Sequence, residues 1–195
     1  MISIEFIAVV VTLAAVYLTT RQVIWCWPLG LVSVSLYAFV FWQAKLYADM
    51  GLQGLYFLLA IYGWWAWLRG GEDHGELEVS LASRRQRVVL LIVATLGGVV
   101  LGQTLNRLTD ASLPFMDSLL TSFSIAAQWM QARKLLENWL VWLAVDVFYV
   151  GMFLYKGLYL TAGLYTVFLY LAALGFAKWR RSLKKPPSAA SGAIA

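Results

Sequence analysis

LYADMGLQGLYFLLAIYGWWAW, residues 46–67, and LYLTAGLYTVFLYLAALGFAKW, residues 158–179, lie 112 positions apart and align without a gap. The two stretches share Leu46/Leu158, Tyr47/Tyr159, Gly51/Gly163, Leu52/Leu164, Leu59/Leu171, Ala60/Ala172, Gly63/Gly175 and Trp67/Trp179. Leu and Ala coincide by chance in any two apolar segments, whereas Gly, Tyr and Trp held in one register are harder to dismiss. The same shift carries Trp27 to Trp139, Tyr37 to Tyr149 and Phe41 to Phe153, and it matches charge at Glu5/Asp117 and Arg21/Arg133. The chain is built from two copies of one unit, and that unit decides the architecture.

The copies belong in a membrane. Of 195 residues 62% are hydrophobic and 13% charged, about half the charge of a soluble domain. A spanning helix needs roughly 20 mostly apolar residues, which places seven candidate spans near 3–20, 22–43, 50–68, 88–106, 113–132, 138–155 and 158–177. The breaks between them are short and charged. Backbone polar groups have no water to bond in lipid, so the spans are expected to be helices. The first span lacks the basic start and small-residue cleavage site of a signal peptide.

Topology follows from the repeat. A unit of three spans ends on the opposite side from its start, so a second copy joined directly would be inverted. One further span, 88–106, returns the chain and makes the copies parallel. The expected organisation is a first three-helix repeat over 1–68, a loop and linker helix over 69–111, a second repeat over 112–179 and a basic, disordered tail over 180–195. Parallel repeats of this kind occur in transporters such as the SWEET carriers, with the substrate held between the halves. On alternate sides of seven spans Lys45, Arg107 and Lys156 fall with the N-terminus, and the other twelve of the fifteen basic residues fall opposite. The positive-inside rule then puts the N-terminus outside and the C-terminus in the cytoplasm of a bacterial inner membrane. The net charge of +5 is thereby assigned to contact with anionic lipid headgroups rather than to nucleic acid.

Several polar groups sit where lipid does not favour them. Asp146 falls near the middle of the sixth span, where a carboxylate costs roughly 2.5–3.5 kcal/mol on insertion scales. Trp142, Asp146, Tyr149 and Phe153 recur at helical spacing on one face, as do Gln53, Tyr56, Ala60 and Trp64 in the third span. The fifth span carries Ser118, Thr121, Ser122, Ser124 and Gln128, which suits a helix facing a watery or protein-lined cavity. An acid among ring faces suits a flat, cationic or hydrogen-bonding ligand. Each feature also has a plainer reading. Ser and Thr bond back to their own helix, Gln53 fits a helix-to-helix hydrogen bond, and Asp146 fits a structural pair with Lys or Arg. Trp64, Trp129 and Trp142 stand between interfacial belt, packing and ligand. Trp25, Trp27, Trp65, Trp67, Trp139 and Trp179, near span ends, are expected as belt residues. Gly98 and Gly102 form a GxxxG pattern that implies close packing of the linker helix.

Lone Cys26 and lone His74 support neither a disulfide, a metal site nor a nucleophile–base pair, so neither an enzyme nor a cofactor is expected. A ligand-binding subunit that moves nothing is the competing non-enzymatic class.

The blocks LYADMGLQGLYF, IYGWWAW, PFMDSLLTSFSIAAQWMQARKLLENWLVWLAVDV and KGLYLTAGLY resemble the PnuC family of vitamin transporters, over residues 24–179. The resemblance implies a SWEET-like fold of three plus one plus three helices. It further implies facilitated diffusion of a vitamin, usually nicotinamide riboside, which a cytoplasmic kinase traps; related members carry thiamine or riboflavin. Carried onto this chain, the family's binding roles fall on Gln53, Tyr56, Trp142 and Tyr149, with Trp64, Gln128 and Asp146 added by their place on the polar faces. The chain departs from the pattern at Ser33, Ala60 and Asp146, where nicotinamide riboside carriers often have Asn. A homo-oligomer is compatible with this reading.

Overall fold

The computed structural model describes residues 2–43, 45, 47–108 and 113–183. Seven α-helices account for most of them: α1 Ile2–Thr20, α2 Cys26–Gln43, α3 Tyr47–Arg69, α4 Arg84–Leu108, α5 Pro114–Ala132, α6 Asn138–Tyr155 and α7 Tyr159–Leu183. Every expected span is present. α2, α4, α6 and α7 are long and apolar enough to cross a membrane on composition alone. α3 and α5 fall short of that measure because their polar residues dilute them, and α1 is a shorter apolar helix. α7 continues through Arg180 to Leu183, so the helix extends into residues the sequence assigned to the tail; 184–195 lie outside the described residues, as do Leu46 and the Tyr47 side chain.

Helix contacts run α1 to α2, α2 to α3, α3 to α5, α5 to α6, α6 to α7 and α7 back to α1. That sequence of contacts closes a ring of six helices. α4 stands outside it, packed on α5. Gly98 and Gly102 bring α4 against α5: a Cβ on either would sit 2.7 Å from a side-chain carbon of Leu119 or Phe115. The remaining surface of α4, with Val88, Ile92, Leu96 and Val100 about half exposed or more, is apolar, as a lipid-facing linker requires.

The two halves repeat down to single dihedrals. Gln22 and Lys134 both adopt left-handed backbone conformations, with φ of 56° and 48°. Each follows the end of its half's first helix, and the hydrogen bonds of the corner coincide: Val23 N–H to Leu18 O at 3.1 Å, Leu135 N–H to Met130 O at 2.9 Å. This six-to-one bond around a left-handed residue is the Schellman closure of a helix C-terminus. The next corner repeats as well, with Lys45 at φ 58° and Gly157 at φ 72°. Glycine takes that conformation freely, whereas lysine is held in it at a steric cost.

One end of the ring is closed by four tryptophans. Trp27 meets Trp67 edge-to-face at 5.3 Å and 89°, and Trp139 meets Trp179 at 5.3 Å and 90°. Trp67 and Trp179 touch across the halves at 5.8 Å. Gly63 and Gly175 admit the rings of Trp27 and Trp139, which occupy the space a Cβ would need. The hydrogen bonds cross over: Trp67 Nε1–H donates to Gln131 O at 3.1 Å, and Trp179 Nε1–H donates to Thr19 O at 3.0 Å. Each half's third helix is thereby tied to the other half's first. This corrects the belt assignment of Trp27, Trp67, Trp139 and Trp179, all of which are at least 98% buried. Their position near span ends fixes depth in the bilayer, but radially they point inward. Trp25 and Trp65, 65% and 56% exposed, match the belt expectation.

Over this end lies the segment joining α3 to α4. Leu77 N–H bonds to Trp67 O, Ser80 pairs with Lys134 and Leu136, and the Ala82 N–H donates to the Glu137 carboxylate at 2.9 Å. Ser83 and Gln86 exchange reciprocal bonds at the start of α4, the capping box that fixes a helix N-terminus.

Candidate functional site

Inside the ring, above the tryptophan floor, is a cavity of about 240 Å³. Its walls come from all six ring helices and from none of α4. Helical spacing explains the selection on each helix. On α6 Trp139, Trp142 and Asp146 advance by a turn or just under, and all three line the space; on α2 Trp27, Gly30 and Val34 do the same.

Four of the residues singled out in the sequence meet here: Tyr56 from α3, Gln128 from α5, and Trp142 and Asp146 from α6. Tyr149 stands just outside. It stacks on Phe153 at 5.7 Å and touches Tyr165, itself a wall residue, at 4.8 Å. The α6 face is therefore continuous as expected, but its outer half packs on α7 rather than on the cavity. Gln53 and Trp64 do not line the space, and Trp64 is 37% exposed. The third-span stripe contributes only Tyr56 and Ala60.

Asp146 is 4% exposed. Among the described residues it makes no hydrogen bond or ion pair, and the lining contains no Lys, Arg or His. The structural pairing with a basic residue that the sequence left open is not made among the described residues. The cavity that the carboxylate lines also carries aromatic and amide side chains, Trp142, Tyr56, Tyr165, Phe168, Gln128 and Gln131. Such a site attracts a cation or a hydrogen-bond donor and repels an anion, because a buried carboxylate without a counter-charge is disfavoured. Thr12 and Ser33 complete the wall on the other side, hydroxyl to hydroxyl. The Nε1 atoms of Trp27 and Trp139, matched by the repeat, have no hydrogen-bond partner among the described residues.

Tyr165, Phe168 and Gln131 were missed by the sequence reading, although the repeat held the signal. Shifting Gln53 and Tyr56 by 112 gives Tyr165 and Phe168 directly. Gln131 lies one turn beyond Gln128 on a helix whose interior face was already evident.

Residues 2–181 match the family model described as nicotinamide mononucleotide transporter. The nicotinamide riboside transporter PnuC of Escherichia coli is 27% identical to this chain, covering 96% of it and 89% of the relative. The riboflavin/roseoflavin transporter RibM of Streptomyces davaonensis is also 27% identical, over 82% of this chain and 76% of the relative. Among solved structures, that of the vitamin B3 transporter PnuC superposes with a TM-score of 0.73 at 24% identity, covering 93% of this chain and 82% of the other. That likeness supports the seven-helix fold.

Proposed function

Since the chain belongs to the nicotinamide mononucleotide transporter family, and is accordingly a multi-pass membrane transporter and not an enzyme, we propose that it takes up a cationic, water-soluble vitamin. Nicotinamide riboside is the first choice. The observation that carries this reading is Asp146, a buried carboxylate that has no partner among the described residues, in a ring-lined cavity to which they contribute no basic side chain. A pyridinium ring placed there gains the acid's charge and the faces of Trp142 and Tyr165. The same surroundings disfavour a nucleotide, whose phosphate would meet the carboxylate with no cation to offset it. Thiamine, with its thiazolium cation, is the second reading on the same observation. Riboflavin is neutral and has three fused rings, and the cavity volume of about 240 Å³ lies below the roughly 300–1,000 Å³ common for drug-sized ligands.

Residues 1–68 and 112–179 act as the two moving halves, with 69–111 joining them. The tryptophan-closed end faces the cytoplasm and both termini follow the positive-inside distribution: N-terminus out, C-terminus in. Transport is facilitated diffusion, and a cytoplasmic kinase retains the product by adding phosphate. Gln53, Trp64 and Tyr149 then act behind the wall rather than on the ligand.

Purified protein in liposomes tests this. Labelled nicotinamide riboside should enter until inside and outside concentrations are equal, and should accumulate further only with a kinase and ATP sealed inside. Uptake of unmodified vitamin against its gradient, driven by protons or sodium, would show a coupled carrier. Binding without uptake would return the chain to the ligand-binding class.

A further inference from the structure

The repeat matches Gly30 with Trp142 and Val34 with Asp146, one and two turns beyond the matched pair Trp27/Trp139. Both Gly30 and Trp142 line the cavity. A second tryptophan at position 30 would complete the symmetry, and it would fill the space between the halves. Glycine in a helix interior costs roughly 0.5–1 kcal/mol relative to alanine, so its presence needs a return. At Gly63, Gly175, Gly98 and Gly102 the return is packing, because a Cβ there would collide with a neighbour. At Gly30 it is not: a Cβ would meet nothing within 4 Å. No packing contact requires the missing side chain; the cavity is what it enlarges.

We propose that Gly30 sets the size and shape of the transported vitamin. The flat cationic ring lies by Trp142 and Asp146, and the space at Gly30 takes the ligand's second moiety, a sugar or a second small ring. This rests on the transporter reading above and adds to it the element that decides length. A residue with a side chain at position 30 converts the site from one for a two-part ligand to one for the charged ring alone.

The experiment measures affinities of purified wild-type, Gly30→Ala and Gly30→Leu protein for nicotinamide riboside, thiamine and the truncated cation N-methylnicotinamide. With nicotinamide riboside as the ligand, Gly30→Ala should melt at or above the wild-type temperature and lose less than about threefold in affinity. Gly30→Leu should lose tenfold or more for the riboside while N-methylnicotinamide binds within about threefold of wild type. If thiamine is the vitamin bound, the same loss should appear for thiamine. Should Gly30→Leu fail to fold, Gly30→Cys in a Cys26→Ala background allows the side chain to be enlarged after folding with thiol reagents of increasing length, and riboside affinity should fall with length. Unchanged riboside affinity in a folded, enlarged protein overturns the inference, as does an equal loss for riboside and truncated cation. If wild type binds none of the three compounds, the cationic-vitamin reading fails and the inference fails with it.

Discussion

At the tryptophan-closed end the two halves are nearly interchangeable; a turn above it they are not. Trp27, Gly63 and Trp67 reproduce Trp139, Gly175 and Trp179 in ring distance, in ring angle and in the crossed indole bonds to Gln131 O and Thr19 O. In the cavity wall, Val16 has Gln128 as its counterpart in the repeat, Gly30 has Trp142 and Val34 has Asp146. The second half supplies the charge, the amides and the large ring, and the first supplies room. Close packing tolerates little change at a four-ring junction, so both copies solve it in one way. A ligand that is itself asymmetric has no use for two identical walls.

The largest expected effect lies at the glycines under the rings. Gly63→Leu and Gly175→Leu should both prevent recovery of folded protein, and Gly63→Ala and Gly175→Ala should each cost on the order of 1–3 kcal/mol as overpacked sites. Melting in detergent, followed by tryptophan fluorescence, measures this. A large difference between the two alanine variants would break the equivalence of the halves.

Next come the crossed indole bonds. Trp67→Phe and Trp179→Phe keep a ring and remove one donor each. Each should cost about 0.5–1.5 kcal/mol, in similar amounts, since Gln131 O and Thr19 O each retain a turn bond from Lys134 N and Gln22 N. A loss at Trp67 alone would show that the tie is made on one side only.

The smallest effect concerns Lys134, counterpart of the neutral Gln22. Lys134 is 6% exposed, and its ammonium donates to Leu77 O at 2.7 Å and lies over the Trp67 ring. Burial lowers its pKa from 10.5, partly countered by Glu76, Cys26 and Glu78. The unfolded chain therefore binds more protons at this site than the folded one below pH 10.5, so the contribution to stability rises with pH. The difference in melting temperature between wild type and Lys134→Met should move in favour of wild type as pH approaches 10.5 and level off above it. No such slope should separate wild type from Gln22→Met.

Much of this was legible in the sequence, for identifiable reasons. The repeat register exposed the halves and the lone linker helix, and mid-span polarity exposed Asp146, Gln128, Tyr56 and Trp142. The facing of a tryptophan was not legible. Trp67 and Trp65 sit at the same depth, yet one is buried in the ring and the other looks into lipid. Hydropathy reports depth along the membrane normal, and rotation about the helix axis is set by which neighbours close the ring. Gln53 and Trp64 were placed on the cavity by spacing from Tyr56, but α3 presents only Tyr56 and Ala60 to it.

In the proposed function the second half's carboxylate recognises the charge of the vitamin. Titration of purified Asp146→Asn protein with nicotinamide riboside tests it most directly, because the amide keeps the shape and removes the charge. The variant should fold normally and bind the riboside with affinity reduced roughly ten- to a hundredfold, the equivalent of about 1.5–3 kcal/mol for a charge-assisted contact, with a much smaller change for neutral riboflavin. Unchanged affinity for the cation in folded Asp146→Asn protein would contradict it.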